Sequence, residues 1–239
     1  MSGKKGPRPG GSGNRKNQPP KAAPGRGKSP AKPSNPRAVL DHYSLQAQKE
    51  GYPARSVYKL QEIQERFQVF PRDGRILDVG AAPGSWSLYV LRNTGPGAVL
   101  AAVDLKPLAN AGEDPRFHFI QGDFFAPENL KAFLDWGPYD TVLSDAAPAT
   151  TGNRTVDTSR SAGLVEGILY QARNLLKPGG NLVVKLFLGG EEQNLAALFR
   201  QNFRTVKMFK PKACRKESFE TFLIGLNYHP PENSEEEGL

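Results

Sequence analysis

The chain has 239 residues, a formal net charge of +8 and a hydrophobic fraction of 38%. That length fits one mid-sized domain with tails rather than two full domains. The single cysteine excludes an intrachain disulfide and a zinc site built on several thiolates, and it suits a reducing compartment. No stretch resembles a secretory signal or approaches the ~20 apolar residues of a membrane span. We therefore expect a cytoplasmic protein with no metal and no membrane partner.

The positive charge lies mainly at one end of the chain. Residues 1–37 hold ten of the 32 basic side chains and none of the 24 acidic ones. They contain almost no large apolar side chain, which predicts a disordered basic tail. Such a polycation suits a polyphosphate partner, and a solubilising leader is the alternative. Residues 38–229 are predicted to form the folded domain, and residues 230–239 a short acidic tail.

Helices and strands alternate along the folded segment. In chain order the patterns predict helices over 38–50 and 56–67, a strand over 75–79, a helix over 85–93, strands over 98–103 and 117–121, a helix over 128–135, a strand over 139–143, a helix over 158–176, a strand over 181–185, a helix over 191–202, and strands over 203–209 and 219–226. Short, uniformly apolar strands between helices indicate a parallel sheet covered on both faces. The loop between the last two strands is too short for a helical crossover, so they should pair antiparallel. The predicted fold class is α/β: a Rossmann-like, mostly parallel doubly wound sheet with a terminal antiparallel strand pair.

Polar residues follow four of the predicted strands. The stretch from Asp78 to Trp86 follows the first strand, and Asp104, Asp123 and Asp145 lie at the ends of later ones. Ligands of such sheets bind beyond the carboxyl ends of the strands, so these residues predict one ligand crevice. Carboxylates capping helices would explain one or two of them but not the whole set.

The chemistry of this crevice suits a nucleoside. Gly80 and Gly84 let the backbone approach a ligand closely. Asp104 can accept hydrogen bonds from ribose hydroxyls, and Asp123 from an exocyclic adenine amine. Apolar neighbours such as Leu105 and Phe124 could cover the adenine faces.

A nicotinamide dehydrogenase is the competing interpretation. Its fingerprint is G-x-G-x-x-G, with a pyrophosphate at a helix N-terminus. Here the turn reads GAAPGSW and lacks that spacing. Pro83 also removes one backbone donor from the loop that would cradle phosphate. S-adenosylmethionine has no phosphate, so the sequence favours a methyltransferase.

The folded segment clearly resembles the FtsJ-like (RlmE-type) ribosomal RNA 2′-O-methyltransferases. The resemblance extends from about Asp41 to Tyr228 and is carried by six segments: ARSVYKLQEI (54–63), LDVGAAPGSWS (77–87), QGDF (121–124), SDAAP (144–148), LKPGGNLVVKLF (176–187) and KPKACRKESFETF (210–222). It implies a Rossmann-like methyltransferase fold, a Lys-Asp-Lys-Glu catalytic tetrad and S-adenosyl-L-methionine as cofactor. The tetrad falls on Lys59, Asp145, Lys185 and Glu220, and the cofactor pattern falls on Gly84, Trp86, Asp104, Asp123 and Asp145.

A Lys-Asp-Lys-Glu tetrad fits the chemistry of this reaction. A ribose 2′-hydroxyl is a poor nucleophile at neutral pH and needs a positioned base. A lysine serves as a base only when a nearby cation or desolvation lowers its pKa. Our hypothesis makes Lys185 the proton acceptor and gives Lys59 an orienting and electrostatic role. Asp145 and Glu220 would hold the two ammonium groups in place.

The resemblance also implies a substrate. It points to a uridine ribose in 23S ribosomal RNA, within the 50S subunit, and we expect a monomeric enzyme. Basic residues near the predicted site could follow a phosphate backbone: Arg55, Lys210, Lys212, Arg215 and Lys216. Transfer RNA as substrate and a non-catalytic RNA-binding assembly factor stay open as alternatives. Base N-methyltransferases are disfavoured, because they commonly carry Pro-Pro and an aromatic residue where this chain has Ala146-Ala147-Pro148.

Three residues depart from the family pattern. Ser85 stands in place of a common glycine, Cys214 in place of a small polar residue, and Ala146 in place of a larger apolar one. None of them removes a group that the mechanism needs. Cys214 has no paired base in its motif, so we do not expect it to act as a nucleophile.

Overall fold

The computed structural model describes residues 42–109, 113–215 and 217–230. The elements in chain order are α1 (His42–Lys49), α2 (Val57–Phe67), β1 (Arg75–Val79), α3 (Ser85–Asn93), β2 (Val99–Asp104), β3 (Phe117–Gln121), α4 (Pro127–Trp136), β4 (Tyr139–Ser144), α5 (Arg154–Leu175), β5 (Leu176–Phe187), α6 (Glu192–Arg200), β6 (Phe203–Phe209) and β7 (Glu220–Tyr228). The predicted basic tail, and the acidic tail beyond residue 230, lie outside the described residues.

The seven strands form a single sheet in the order β3-β2-β1-β4-β5-β7-β6. The first five strands of that order pair in parallel. Strand β7 then runs antiparallel to both β5 and β6. The predicted fold class is therefore confirmed, and so is the antiparallel pairing of the last two strands.

Each face of the sheet carries its own hydrophobic core. Alternate residues of β1 separate between the cores, with Leu77 and Val79 on the side of α4, α5 and α6 and Ile76 on the side of α1, α2 and α3. Successive side chains of a strand point to opposite faces, so one strand supplies both cores. Helix α2 turns Leu60 and Ile63 toward the second core, as its apolar spacing predicts.

Two elements begin earlier than the sequence predicts. Helix α5 starts at Arg154 because the Asn153 side chain accepts hydrogen bonds from the backbone N–H groups of Thr155 and Val156. Strand β5 starts at Leu176, directly after α5, and includes residues 177–180, which we predicted to lie between the helix and the strand. Pairing with β4 shifts register across this segment, which absorbs its extra residues as an irregularity in the strand.

The loop after β1 approaches the end of β4 too closely for any side chain. Gly80 has a φ of +79°, and a Cβ added there would lie 2.7 Å from the Cα of Ala146. Gly152 has a similar φ of +84°, yet a Cβ added to it would meet nothing within 4 Å. A side chain at Gly80 would therefore meet both backbone strain and a steric conflict, whereas one at Gly152 would meet backbone strain alone.

We predict that Gly80→Ala destabilises the protein more than Gly152→Ala does. Both variants place alanine in left-handed backbone, at a cost of about 1–2 kcal/mol. Only Gly80→Ala also forces the β1 loop away from Ala146, which adds roughly 1–3 kcal/mol. Urea denaturation of both variants measures the difference. Equal losses in the two variants would contradict the close approach.

Candidate active site

Strand alternation gathers the polar strand ends on one face of the sheet. Asp78 pairs in register with Ala102 of β2 and Leu143 of β4. Asp104 therefore lies two residues further along β2, and Asp145 lies two residues beyond Leu143, directly after the end of β4. Residues two apart in a strand share a face. Lys185 likewise follows Val183, which belongs to the core on the α1–α3 side. The face that carries α2 thus collects these side chains at the carboxyl edge of the sheet.

Four charged side chains meet at this edge, and they are the four predicted as a tetrad. The Lys59 ammonium donates to Glu220 Oε2 at 2.9 Å and lies 3.7 Å from Asp145 Oδ1. The Lys185 ammonium lies 3.0 Å from the same Asp145 oxygen and also donates to the Asp145 backbone carbonyl. The four side chains are only 10–17% exposed. Two cations and two anions therefore neutralise one another in a partly buried cluster.

The two lysines of this cluster have different surroundings. Burial lowers the pKa of Lys59, but Asp145 and Glu220 more than offset it, so the pKa stands above its usual value. Burial acts to raise the pKa of Glu220, but Lys59, the Cys214 thiol and Lys185 together lower it, so the pKa stands below its usual value. Lys59 thus faces two carboxylates, whereas within the described part of the chain the one ion pair of Lys185 is with Asp145. Lys59 is held as a cation in this arrangement.

Aromatic rings support the cluster from the core side. The Lys59 ammonium lies 5.8 Å from the centre of the Phe222 ring. The centres of the Phe222 and Trp86 rings are also 5.8 Å apart. The Trp86 indole N–H donates to the Ser56 carbonyl at 2.9 Å, and the side chain is 3% exposed. The Trp86 side chain is therefore part of the core, so the group it offers to the crevice is its main chain at the start of α3.

The loop between β1 and α3 forms one wall of the predicted crevice. Gly84 has a φ of +108° and immediately precedes α3. Asp104 accepts hydrogen bonds from the backbone N–H groups of Ala82 at 2.9 Å and Lys106 at 2.8 Å. Asp123 accepts one from the N–H of Phe125 at 3.0 Å. The two acids thus stand at the ends of neighbouring strands, next to the glycine-containing loop.

Asp78 is a residue of this site whose protonation state the sequence does not reveal. Its side chain is 0% exposed, and Oδ2 accepts a hydrogen bond from the Ser87 hydroxyl at 2.7 Å. Oδ1 is buried and has no hydrogen-bond partner within the described part of the chain. Burial raises the pKa of the Asp78 carboxyl to about 7, and Asp145 and Asp104 add to the rise while Ser87 opposes it. The crevice floor therefore holds a carboxyl poised between its two charge states.

Other predicted residues have structural partners. Arg55 donates to the Ala213 carbonyl and Lys210 donates to the Ser218 carbonyl, whereas Lys216 is not among the described residues.

Phe124 packs against Phe133 in the core on the α4–α6 side. Phe124 is 5% exposed, and its contact with an adenine face stays a prediction. Leu105 is 72% exposed at the end of β2.

Two of the residues that depart from the family pattern have defined contacts. The Ser85 hydroxyl accepts a hydrogen bond from the Ala54 N–H at 2.7 Å, which ties the segment before α2 to the start of α3. Burial raises the pKa of the Cys214 thiol to about 12, and the thiol is hydrogen-bonded to Glu220. Such a thiol is not a nucleophile at neutral pH.

The described residues provide neither a metal-binding cluster nor a membrane-spanning helix. No group of three or more His, Cys, Asp and Glu side chains in residues 42–109, 113–215 and 217–230 is arranged to hold a metal ion. None of the helices in those same ranges is long and apolar enough to cross a membrane.

Comparison with known proteins points to one family. Residues 52–228 match the family model of the FtsJ-like methyltransferases. The "Ribosomal RNA large subunit methyltransferase E" of Treponema denticola is 53% identical over 188 residues, covering 79% of this chain and 94% of the relative. The protein of the same name from Syntrophobacter fumaroxidans is 45% identical over 193 residues, covering 79% and 95%.

Solved structures agree with the fold. A chain described as a ribosomal RNA methyltransferase from Plasmodium falciparum superposes with a TM-score of 0.64 at 28% identity, covering 74% of this chain and 98% of its own. Human methyltransferase-like protein 13, solved with SAH, superposes with a TM-score of 0.51 at 17% identity, covering 81% and 85%. The second match is a likeness of fold alone.

We predict that Asp78→Asn changes how stability depends on pH. An unfolded aspartate loses its proton near pH ~4, whereas folded Asp78 keeps it until about pH 7. Between these values the folded wild type binds the extra proton, so its unfolding free energy falls as pH rises. The asparagine lacks this penalty. From about pH 5.5 to about pH 8, its stability relative to wild type should rise by roughly 2 kcal/mol.

Urea denaturation of the ligand-free protein at the two pH values measures this change. Asp135→Asn, which alters an exposed carboxyl on α4, is the matched control and should track the wild type. A constant difference between Asp78→Asn and wild type across the range would mean that Asp78 titrates normally.

Proposed function

Because the chain belongs to the FtsJ-like methyltransferase family, we propose that it catalyses S-adenosylmethionine-dependent 2′-O-methylation of ribose in large-subunit (23S) ribosomal RNA. The observation that carries this proposal is the assembly of Lys59, Asp145, Lys185 and Glu220 into one partly buried cluster at the carboxyl edge of the sheet. The names of the relatives support ribosomal RNA as substrate. A uridine as the target and a bacterial cytoplasm as the compartment rest on the family resemblance.

The crevice beside the cluster fits S-adenosylmethionine. Asp104 would take the ribose hydroxyls and Asp123 the adenine amine, since each stands at the end of its strand with a carboxylate that accepts further hydrogen bonds. Gly84 and the main chain of Trp86 would border the ligand where α3 begins. The unpartnered buried oxygen of Asp78 and the charge of Asp145 favour a cationic ligand here. S-adenosylmethionine, when bound, supplies an electrophilic methyl group on a sulfonium.

The protein's own task is to prepare the ribose hydroxyl. Lys59 stays protonated between Asp145 and Glu220, so it orients the hydroxyl and stabilises developing negative charge. Among the described residues, Lys185 forms its ion pair with Asp145, whereas Glu220 pairs with Lys59. We assign Lys185 the role of accepting the 2′-hydroxyl proton at Nζ. Asp145 contacts the Lys185 side-chain nitrogen through both its carboxylate and its carbonyl oxygen, which fixes the position of that nitrogen.

The same arrangement argues against a binding protein without turnover. An RNA-binding factor needs basic groups exposed to phosphate, whereas these two lysines are 10–12% exposed and paired with acids. Burying such ion pairs costs desolvation that binding alone does not require. The exposed basic residues Lys212 and Arg215 lie in the connection before Glu220 and are available to a phosphate backbone.

We predict that Lys185→Ala lowers the single-turnover rate of methyl transfer to large ribosomal subunits by about 100-fold or more, since general-base groups contribute about 10²–10⁴-fold. Binding of S-adenosylmethionine, measured by calorimetry, should persist and so report an intact fold. The control is Lys177→Ala, because Lys177 pairs with Asp140 nearer the start of the same strand and should leave the rate unchanged. Near-normal single-turnover methylation by folded Lys185→Ala would refute the base assignment.

A further inference from the structure

A carboxylate outside the tetrad holds the connection between β6 and β7 against α2. Glu62 Oε2 accepts a hydrogen bond from the backbone N–H of Lys212 at 2.8 Å, and Oε1 accepts one from the N–H of Ala213 at 2.8 Å. Both oxygens of one side chain therefore bind two successive amides, which is strong, geometrically specific anchoring. Arg55 holds the same segment by donating to the Ala213 carbonyl.

The anchored segment leads directly into the tetrad. Ala213 is 0% exposed and Cys214 is 7% exposed. The Cys214 thiol is hydrogen-bonded to Glu220, and Glu220 accepts from the Lys59 ammonium. Glu62 lies three residues after Lys59 on α2, about one helical turn away. Lys59 and Glu220 are thus linked twice: by their own ion pair, and through Glu62, the anchored turn and Cys214.

Resting on the proposed function, we propose that Glu62 is a positioning residue for the tetrad, acting on Glu220 through the turn at Lys212–Cys214. Without Glu62 two backbone N–H groups lose their acceptor, and the turn that carries Cys214 can move away from α2. Glu220 then loses its thiol contact and its fixed distance to Lys59. Displacements of about 1 Å at such groups cost on the order of 10²-fold in rate. The competing interpretation is that Glu62 only fastens a surface loop.

The chain provides its own reporter for the anchoring step. Cys214 is the only cysteine in the sequence and is buried under the turn that Glu62 holds. In Glu62→Ala, the rate at which a thiol reagent (Ellman's reagent) modifies native protein should rise about 10-fold or more, because local opening controls access to a buried group. Glu65→Ala is the matched control. Glu65 is exposed one turn further along α2, accepts a hydrogen bond from Gln61 of its own helix, and should leave the rate at the wild-type value.

The catalytic step is tested with the same variants. Glu62→Ala should lower kcat for methyl transfer about 10-fold or more while the KM for S-adenosylmethionine stays within about 2-fold, since the cofactor crevice lies along β1 and β2. In a Glu220→Gln background the additional loss from Glu62→Ala should shrink to less than about 3-fold, because two residues acting through one group are not additive. A loop fastener would give independent, multiplying losses.

Each failure has a distinct signature. Unchanged thiol reactivity in Glu62→Ala overturns the anchoring, whatever the activity. Faster thiol modification with an unchanged kcat overturns the positioning role. The same conclusion follows if Glu62→Ala lowers kcat as much in the Glu220→Gln background as in the wild type. A wild type that binds cofactor but does not methylate large subunits overturns the proposed function, and the positioning inference with it. If Glu62→Ala does not fold, Glu62→Gln keeps one acceptor oxygen and takes its place in every arm.

Discussion

One carboxylate oxygen shared by two ammonium groups is the interaction on which the site depends. Asp145 Oδ1 lies 3.0 Å from the Lys185 nitrogen and 3.7 Å from that of Lys59. Two cations this close, in a partly buried place, would repel each other by several kcal/mol at an effective dielectric constant of ~20. Asp145 and Glu220 cancel that charge, so the cluster is neutral as a whole. The sharing is unequal, because among the described residues Glu220 pairs with Lys59 and not with Lys185. The proposed division between a fixed cation and a proton acceptor rests on this inequality.

The antiparallel direction of β7 allows the four residues of this cluster to meet. Parallel strands bring their carboxyl ends to one edge, which places Asp145 after β4 and Lys185 near the end of β5. Strand β7 runs the other way beside β5, so its first residue, Glu220, arrives at the same edge. Lys59 comes from α2, which packs on that face. If β7 ran parallel to β5, its carboxyl end would lie at this edge, and Glu220, its first residue, would lie at the opposite edge.

The crevice was predictable from the sequence, because it follows from strand direction and side-chain alternation, whereas Lys59 and Glu220 were assigned from the family resemblance. Apolar runs located all seven strands, and the residues at their ends indicated one crevice. The contact of the Phe124 ring with Phe133 could not be predicted in that way, because Phe124 lies three residues beyond the end of β3. Likewise, nothing in the motif around Trp86 shows that its indole donates to Ser56 and faces the core.

The remaining features depend on contacts between distant parts of the chain. Glu62 and Lys212 are 150 residues apart, so their hydrogen bond has no local signal. Alternation puts Asp78 on the inner face, but its raised pKa arises from burial beneath α3 and from Asp145 and Asp104 at the ends of neighbouring strands. Propensity and spacing locate an acid; packing decides its charge state and its partners.

The position of the transferred methyl group tests the central claim most directly. Large ribosomal subunits lacking 2′-O-methylation would be incubated with the protein and methyl-labelled S-adenosylmethionine, and the RNA would then be hydrolysed with alkali. A methyl group on the 2′-oxygen blocks cleavage of the adjacent phosphodiester, so the account predicts that the label appears in an alkali-resistant dinucleotide. Label released in mononucleotides would place the methyl group on a base and would contradict the account.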